Sequence, residues 1–216
     1  MKSRIWWFYG LLSVPALAQP AIDVIAVDYP PFTSPSVQEN GIAFQLLQSQ
    51  FPDARFKPLF VPPKRAYSMV AHEPWCASFY PVRTANAKTV VLSTHEIEIG
   101  LIRLHEETEF YWQNLTSFAG QRVALLRTSD TSSFAHQFTD AGIQIQFVET
   151  IEQGLQMVLH RRVHFALYDN YSFAQLEDAT KHRLQFSSSS LFKTPITLYL
   201  NRDCEQVQPL IPVEKE

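Results

Sequence analysis

Apolar positions along the chain fall into two successive runs of strand-like and helix-like segments. Residues 22–28 place Ile22, Val24 and Ala26 in one register and Ile25 and Val27 in the other. Apolar residues in both registers predict a strand buried on both faces. Tyr29-Pro30-Pro31-Phe32 follows, and such a segment neither continues a ladder nor starts a helix at once. Asn40-Gly41 precedes a helical pattern through Phe44, Leu46, Leu47 and Phe51, closed by Pro52. A strand is expected over 56–61. Pro63 then stands where a first-turn proline opens a helix over 64–71, and a third strand is expected over 75–79.

The second run begins after a long extended segment, 97–104. Gly120 introduces a strand over 122–126, followed by a helix (132–141), a strand (143–148), a helix (151–159) and a strand (163–168). A serine run at 187–190 leads to a last strand over 195–200. Strands alternating with helices argue for two parallel-rich α/β units. Extended connections near 95–104 and 186–196 join them, and a chain that leaves one lobe and later returns to it has two crossovers able to act as a hinge.

The N-terminus changes where this fold is expected to work. Lys2 and Arg4 precede an apolar run over 5–12, and Ala16-Leu17-Ala18 offers small residues at a cleavage site. That order reads as a secretory signal peptide over residues 1–18. The run is too short for a membrane span before Pro15 and Pro20 interrupt it. No cysteine follows it that would carry a lipid anchor. The formal charge is −3, and loss of Lys2 and Arg4 makes the mature chain two units more negative. Basic residues are scattered, which excludes a nucleic-acid footprint. Fourteen prolines against six glycines favour defined turns over flexible linkers. Cys76 and Cys204 are the two cysteines. In an oxidising compartment they form a bridge or remain two buried thiols, and spacing alone does not decide.

Four segments together resemble family 3 periplasmic solute-binding proteins, which bind polar amino acids and similar solutes. They are Tyr29-Pro30-Pro31-Phe32; the stretch from Arg83-Thr84 through Lys88 to Leu92-Ser93-Thr94; the stretch from Phe118-Ala119-Gly120 to Leu126; and the stretch from Leu159 to Tyr168-Asp169. The resemblance covers nearly the whole mature chain. It implies an α/β, two-lobed fold of the type II periplasmic-binding-protein-like kind, each lobe a mixed sheet flanked by helices. The expected division is a first lobe over 19–98, a second over 99–189 and a return to the first over 190–216.

The resemblance also implies a site. Tyr29 matches the family's aromatic cover on the ligand, while Phe32 is either a second wall or a core aromatic. Tyr80, Arg83 and Thr84 follow the third strand, where the family places further ligand contacts. The family's carboxylate-reading arginine, three residues after the threonine, is Ala87 here, and alanine offers no bidentate donor. Arg83 or Lys88 would have to compensate. Thr128-Ser129 stands where the family has glycine-threonine; Ser129 either touches ligand or caps the next helix, and Asp130 is read as a cap. Asp169 matches the aspartate that accepts a ligand ammonium group, and it also suits a helix N-cap.

His160 and His164 straddle a helix-to-strand junction, so their spacing does not make a metal pair. Asn114-Leu115-Thr116 forms a glycosylation triplet of the kind that arises often by chance. No nucleophile elbow, phosphate loop or carboxylate pair supports catalysis. The expectation is a periplasmic binding protein and not an enzyme. It would need no cofactor or metal, act as a monomer, capture a small polar or amine-bearing solute, and pass it to an ABC importer permease. The rival expectation is an orphan or signalling module that keeps the fold while Ala87, Thr128 and His164 mark an eroded site.

Overall fold

A computed structural model describes residues 20–82, 84–127 and 133–211. Residues 1–18, expected to form a signal peptide, therefore lie outside the described residues, as do Arg83, Thr128, Ser129 and Asp130.

The first lobe opens with β1 (Ile22–Ala26), whose partners β2 (Phe56–Phe60) and β3 (Ala77–Ser78) both run parallel to it. The crossovers are α1 (Ile42–Gln50) and α2 (Pro63–His72). Pro63 sits in the first turn of α2, as its fixed φ and missing N–H favour. β3 is shorter than the strand expected over 75–79. Just before it, the carbonyls of Trp75 and Cys76 accept the side-chain and backbone N–H of Asn201, 2.9 Å each, instead of extending the parallel ladder.

The largest departure from the sequence pattern is β4 (Ala87–Leu104), expected only over 97–104. Its first half is polar and lacks strict alternation, and it is held by an antiparallel partner, β9 (Phe192–Asn201). The register shifts between Val91 and Glu96. Within the irregularity, Ser93 Oγ accepts from Ile196 N at 2.9 Å and donates to His95 O at 2.8 Å, which keeps the backbone groups satisfied.

Beyond this point β4 pairs antiparallel with β7 (Phe165–Asp169) and β8 (Leu184–Phe186). The second lobe continues through β5 (Arg122–Leu126) and β6 (Gln144–Val148), with α3 (Ser133–Asp140) and α4 (Ile151–Leu159) as crossovers. The short helices α5 (Asn170–Ala174) and α6 (Asp178–Lys181) follow β7. Among the described residues the strand order is β2-β1-β3-β9-β4-β7-β5-β6, with β8 beside β4. β9 and β4 thus stand side by side in the middle of the order, between β3 and β7.

Each end has its own apolar interior. Val24, Leu47, Leu198, Leu200 and Val207 pack on one face of the first lobe, and Ile25, Ala66 and Val70 on the other. Phe110, Phe118, Phe138 and Phe165 fill one face of the second lobe, and Ile102, Leu155, Val158 and Tyr168 the other. Cys76 and Cys204 are joined in a disulfide across 128 positions, which decides the alternative left open by their spacing. It ties the chain after β9 to the residue just before β3, beside the first-lobe core.

Candidate functional site

The site grows from the carboxyl end of β1. Phe32 N and Thr33 N both donate to Tyr29 O at 3.0 Å, and Thr33 Oγ1 donates to Val27 O at 2.8 Å, folding residues 29–33 into a tight turn. The turn is fastened to the start of α1: Ile42 N donates to Pro31 O at 3.1 Å and Ala43 N to Phe32 O at 2.9 Å. These bonds satisfy two first-turn N–H groups that a helix cannot satisfy itself. Gly41 makes the approach possible. Its φ is +103°, and a Cβ there would lie 2.4 Å from Phe32 O.

The turn aims the Tyr29 hydroxyl at the second lobe, where it donates to Asp169 Oδ2 at 3.0 Å. Asp169 ends β7 and caps α5, its Oδ1 accepting from Ser172 N at 2.7 Å. The cap weighed for this residue from sequence is thus present, and its other carboxylate oxygen is taken by Tyr29. The residue is fully buried. Burial pushes its carboxyl above the usual range, opposed by hydrogen bonds from Ser172, Tyr29 and Tyr171. Burial first, then the Asp169 charge, drives the Tyr29 phenol well above its ordinary value. Tyr29 is therefore the donor and Asp169 the acceptor.

Two further contacts flank this bond. The Phe32 ring lies 5.4 Å from the ring of Tyr171, centroid to centroid, and Ser172 Oγ donates to Pro30 O at 3.4 Å. Phe32 itself is buried. Asn170 Oδ1 accepts from Glu98 N at 3.1 Å, fixing the start of α5 to β4. Beside these contacts lies a groove of about 240 Å³ lined by Pro30, Pro31, Glu152, Tyr168, Ser172 and Gln175. It joins the first-lobe turn to the second-lobe helices.

Of the residues expected to form the site, Tyr29, Phe32 and Asp169 are brought together. Tyr80 packs in the first-lobe core with Ile25, Ala66 and Val82, and burial raises its phenol, with Tyr67 adding to the effect. Thr84 is exposed, and its carbonyl accepts from Ala87 N at 3.1 Å in the turn into β4. Arg83 and Ser129 lie outside the described residues. Sequence reasoning missed Tyr171 and Ser172, which lie two and three residues past a recognised aspartate. Their signal was available, because a cap residue's N3 position must face the cap.

Among the described residues no group of His, Cys, Asp or Glu is placed to hold a metal ion. No helix among them is long and apolar enough to cross a membrane.

No protein-family model matches the chain, and no curated protein matches it significantly. Solved structures do. The ligand-binding core of GluR0 from Nostoc punctiforme, in complex with L-glutamate, superposes with a TM-score of 0.66 at 15% identity over 88% of this chain and 89% of that one. An arginine periplasmic binding protein from Legionella pneumophila gives 0.64 at 14% identity over 88% and 89%. The VFT2 domain of BvgS from Bordetella pertussis gives 0.61 at 14% identity over 88% and 84%. Identities this low speak to architecture. The fold implied by the resemblance to family 3 solute-binding proteins is the fold the chain has: a two-lobed, periplasmic-binding-protein-like α/β structure.

Proposed function

We propose that the chain is a binding protein, not an enzyme, that captures a small amine-bearing solute between its lobes. The observation that carries this reading is the fully buried Asp169 carboxylate, bonded across the lobes to Tyr29. An ammonium group replaces the Tyr29 hydroxyl at Asp169 Oδ2, exchanging a neutral donor for a charged one, and charge-assisted bonds are the stronger. The displaced Tyr29 ring then covers the cation, a contact favourable at an aromatic face. Ala87 supports an amine over an ordinary α-amino acid, since no guanidinium is available there to fork onto a carboxylate. Glu152 in the adjoining groove adds negative charge on the second-lobe side.

The lobes meet near residues 98–99 and 189–190, with residues 19–98 and 190–216 forming the first and 99–189 the second. β4 and β9 are the hinge strands, since β9 pairs with β3 of the first lobe, β4 pairs with β7 of the second, and the ladder between them is irregular between Val91 and Glu96. Each lobe supplies part of the site, so only the closed arrangement makes every contact with ligand, and ligand shifts the population toward closure. The protein works as a periplasmic monomer after loss of residues 1–18 and hands its solute to an ABC importer permease.

A thermal-shift screen of the mature protein against amines, amino acids and small organic acids tests the reading. Amines should raise the melting temperature and organic acids should not, because only a ligand selective for the folded state stabilises it. A second reading, an orphan or signalling module, is favoured by the fact that Tyr29 already supplies Asp169 with a donor. It gains ground if no solute in any of the three classes shifts the transition.

A further inference from the structure

The turn that follows β1 grips the second lobe through more than the Tyr29 hydroxyl. The Tyr29 ring packs against the second-lobe cluster that includes Ile102, Leu155, Val158 and Tyr168. The Phe32 ring meets that of Tyr171 at 5.4 Å, and Pro30 O accepts from Ser172 Oγ at 3.4 Å. With the Tyr29–Asp169 bond at 3.0 Å, these contacts join residues 29–32 to the end of β7 and the helix α5. Each side is fixed within its own lobe. The turn is fastened to α1 by the bonds from Ile42 N and Ala43 N, and α5 is held by the Asp169 cap and by Asn170 on Glu98 N. Two preorganised surfaces meet at little further cost in ordering. They also form and break their contacts together as the lobes close or part about a hinge. Every partner is a group of the chain itself, so a solute is not needed to complete any of these contacts.

We propose that the Tyr29–Phe32 turn and α5 form a built-in latch that holds the lobes closed in the resting protein, and that solute entry must break it. The inference goes beyond the function proposed above and does not depend on which solute binds. Solute enters through a transient opening and adds to a closure that protein contacts already favour. The open, receptive state is a minor one, so apparent affinity is lowered by the fraction of molecules that are open. On the amine reading, an ammonium group takes over only the Tyr29–Asp169 bond. The Phe32–Tyr171 and Ser172–Pro30 contacts then persist in the loaded protein and help to keep it shut.

Small-angle X-ray scattering tests the latch on the mature protein, shown by native mass spectrometry to carry no solute, as wild type, Tyr171→Ala and Tyr29→Phe. Wild type should scatter as the closed structure does. Each variant should shift to a larger radius of gyration while still melting cooperatively. Tyr171 is exposed and Tyr29→Phe removes one hydroxyl, so neither change empties a core. A solute-free wild type whose radius of gyration lies well above that of the closed structure overturns the inference, whatever the variants do. So does a compact wild type whose two variants stay equally compact, because closure then rests on other contacts. Expansion in one variant alone supports the latch and assigns its hold to that contact. None of these results bears on the amine reading, which solute binding decides.

Discussion

The hydroxyl of Tyr29 donates to Oδ2 of Asp169 across 3.0 Å and 140 positions of sequence, joining the end of β1 to the end of β7. A hydrogen bond to a buried charged acceptor contributes about 1.5–3 kcal/mol. Tyr29→Phe keeps the ring against Phe32 and removes that donor. It should lower the melting temperature by several degrees, at about 2–4 °C per kcal/mol for a chain of this size. An amine solute should bind this variant at least as tightly as wild type, because the competing hydroxyl is gone, whereas Tyr29→Ala should bind it less tightly. Thermal denaturation and calorimetry of the two variants check this, and weaker binding by Tyr29→Phe would count against competition.

The raised carboxyl of Asp169 sets a pH dependence. Because the folded-state value lies above the ordinary 3.8, the native state holds this proton more tightly than the unfolded chain. The contribution to stability is full below about pH 3.8 and is lost as pH rises through the folded value. The melting temperature of wild type minus that of Asp169→Asn, followed from pH 3 to 7, should therefore fall as pH rises, with the variant gaining relative stability toward neutrality. Amine binding runs the other way: it needs the ionised carboxylate and should strengthen as pH rises. A wild-type minus Asp169→Asn difference that is flat with pH would contradict the assignment.

The Cys76–Cys204 disulfide closes a long loop. In the chain-entropy model such a link stabilises by about 4–5 kcal/mol, before any strain is subtracted. Thiol titration of denatured, unreduced protein should find no free thiol. Denaturant unfolding under reducing conditions should show a midpoint shifted down by an amount of that order. Two titratable thiols would refute the bridge.

Gly41 holds the Tyr29 turn against α1, so its effect should reach the site. In Gly41→Ala a Cβ meets Phe32 O, and the positive φ adds strain of about 1–3 kcal/mol. Both the melting temperature and amine affinity should fall, since the turn that aims Tyr29 must shift. Unchanged affinity would show that the turn is not what positions the ring.

How far the sequence revealed this arrangement depends on length scale. Periodic segments read well: β5 and α4 fall where their apolar patterns end, and Pro63 marks the start of α2. The short elements β8 and α6 are too brief for a period to register. The first half of β4 escaped because β9, not its own alternation, makes it a strand. At the site, Tyr29 and Asp169 were legible through resemblance and as strand-end residues. Their direct bond was not, because it depends on how two lobes built by distant segments meet.

The central claim is that Asp169 reads an amine, and calorimetry of Asp169→Asn against an amine found by the thermal screen tests it most directly. Asparagine is as good an N-cap as aspartate, so α5 and the fold are retained and the change isolates the charge. Loss of a charged acceptor costs about 1.5–3 kcal/mol, so affinity should fall roughly ten- to a hundredfold. Unchanged affinity would reduce Asp169 to a helix cap and contradict the account.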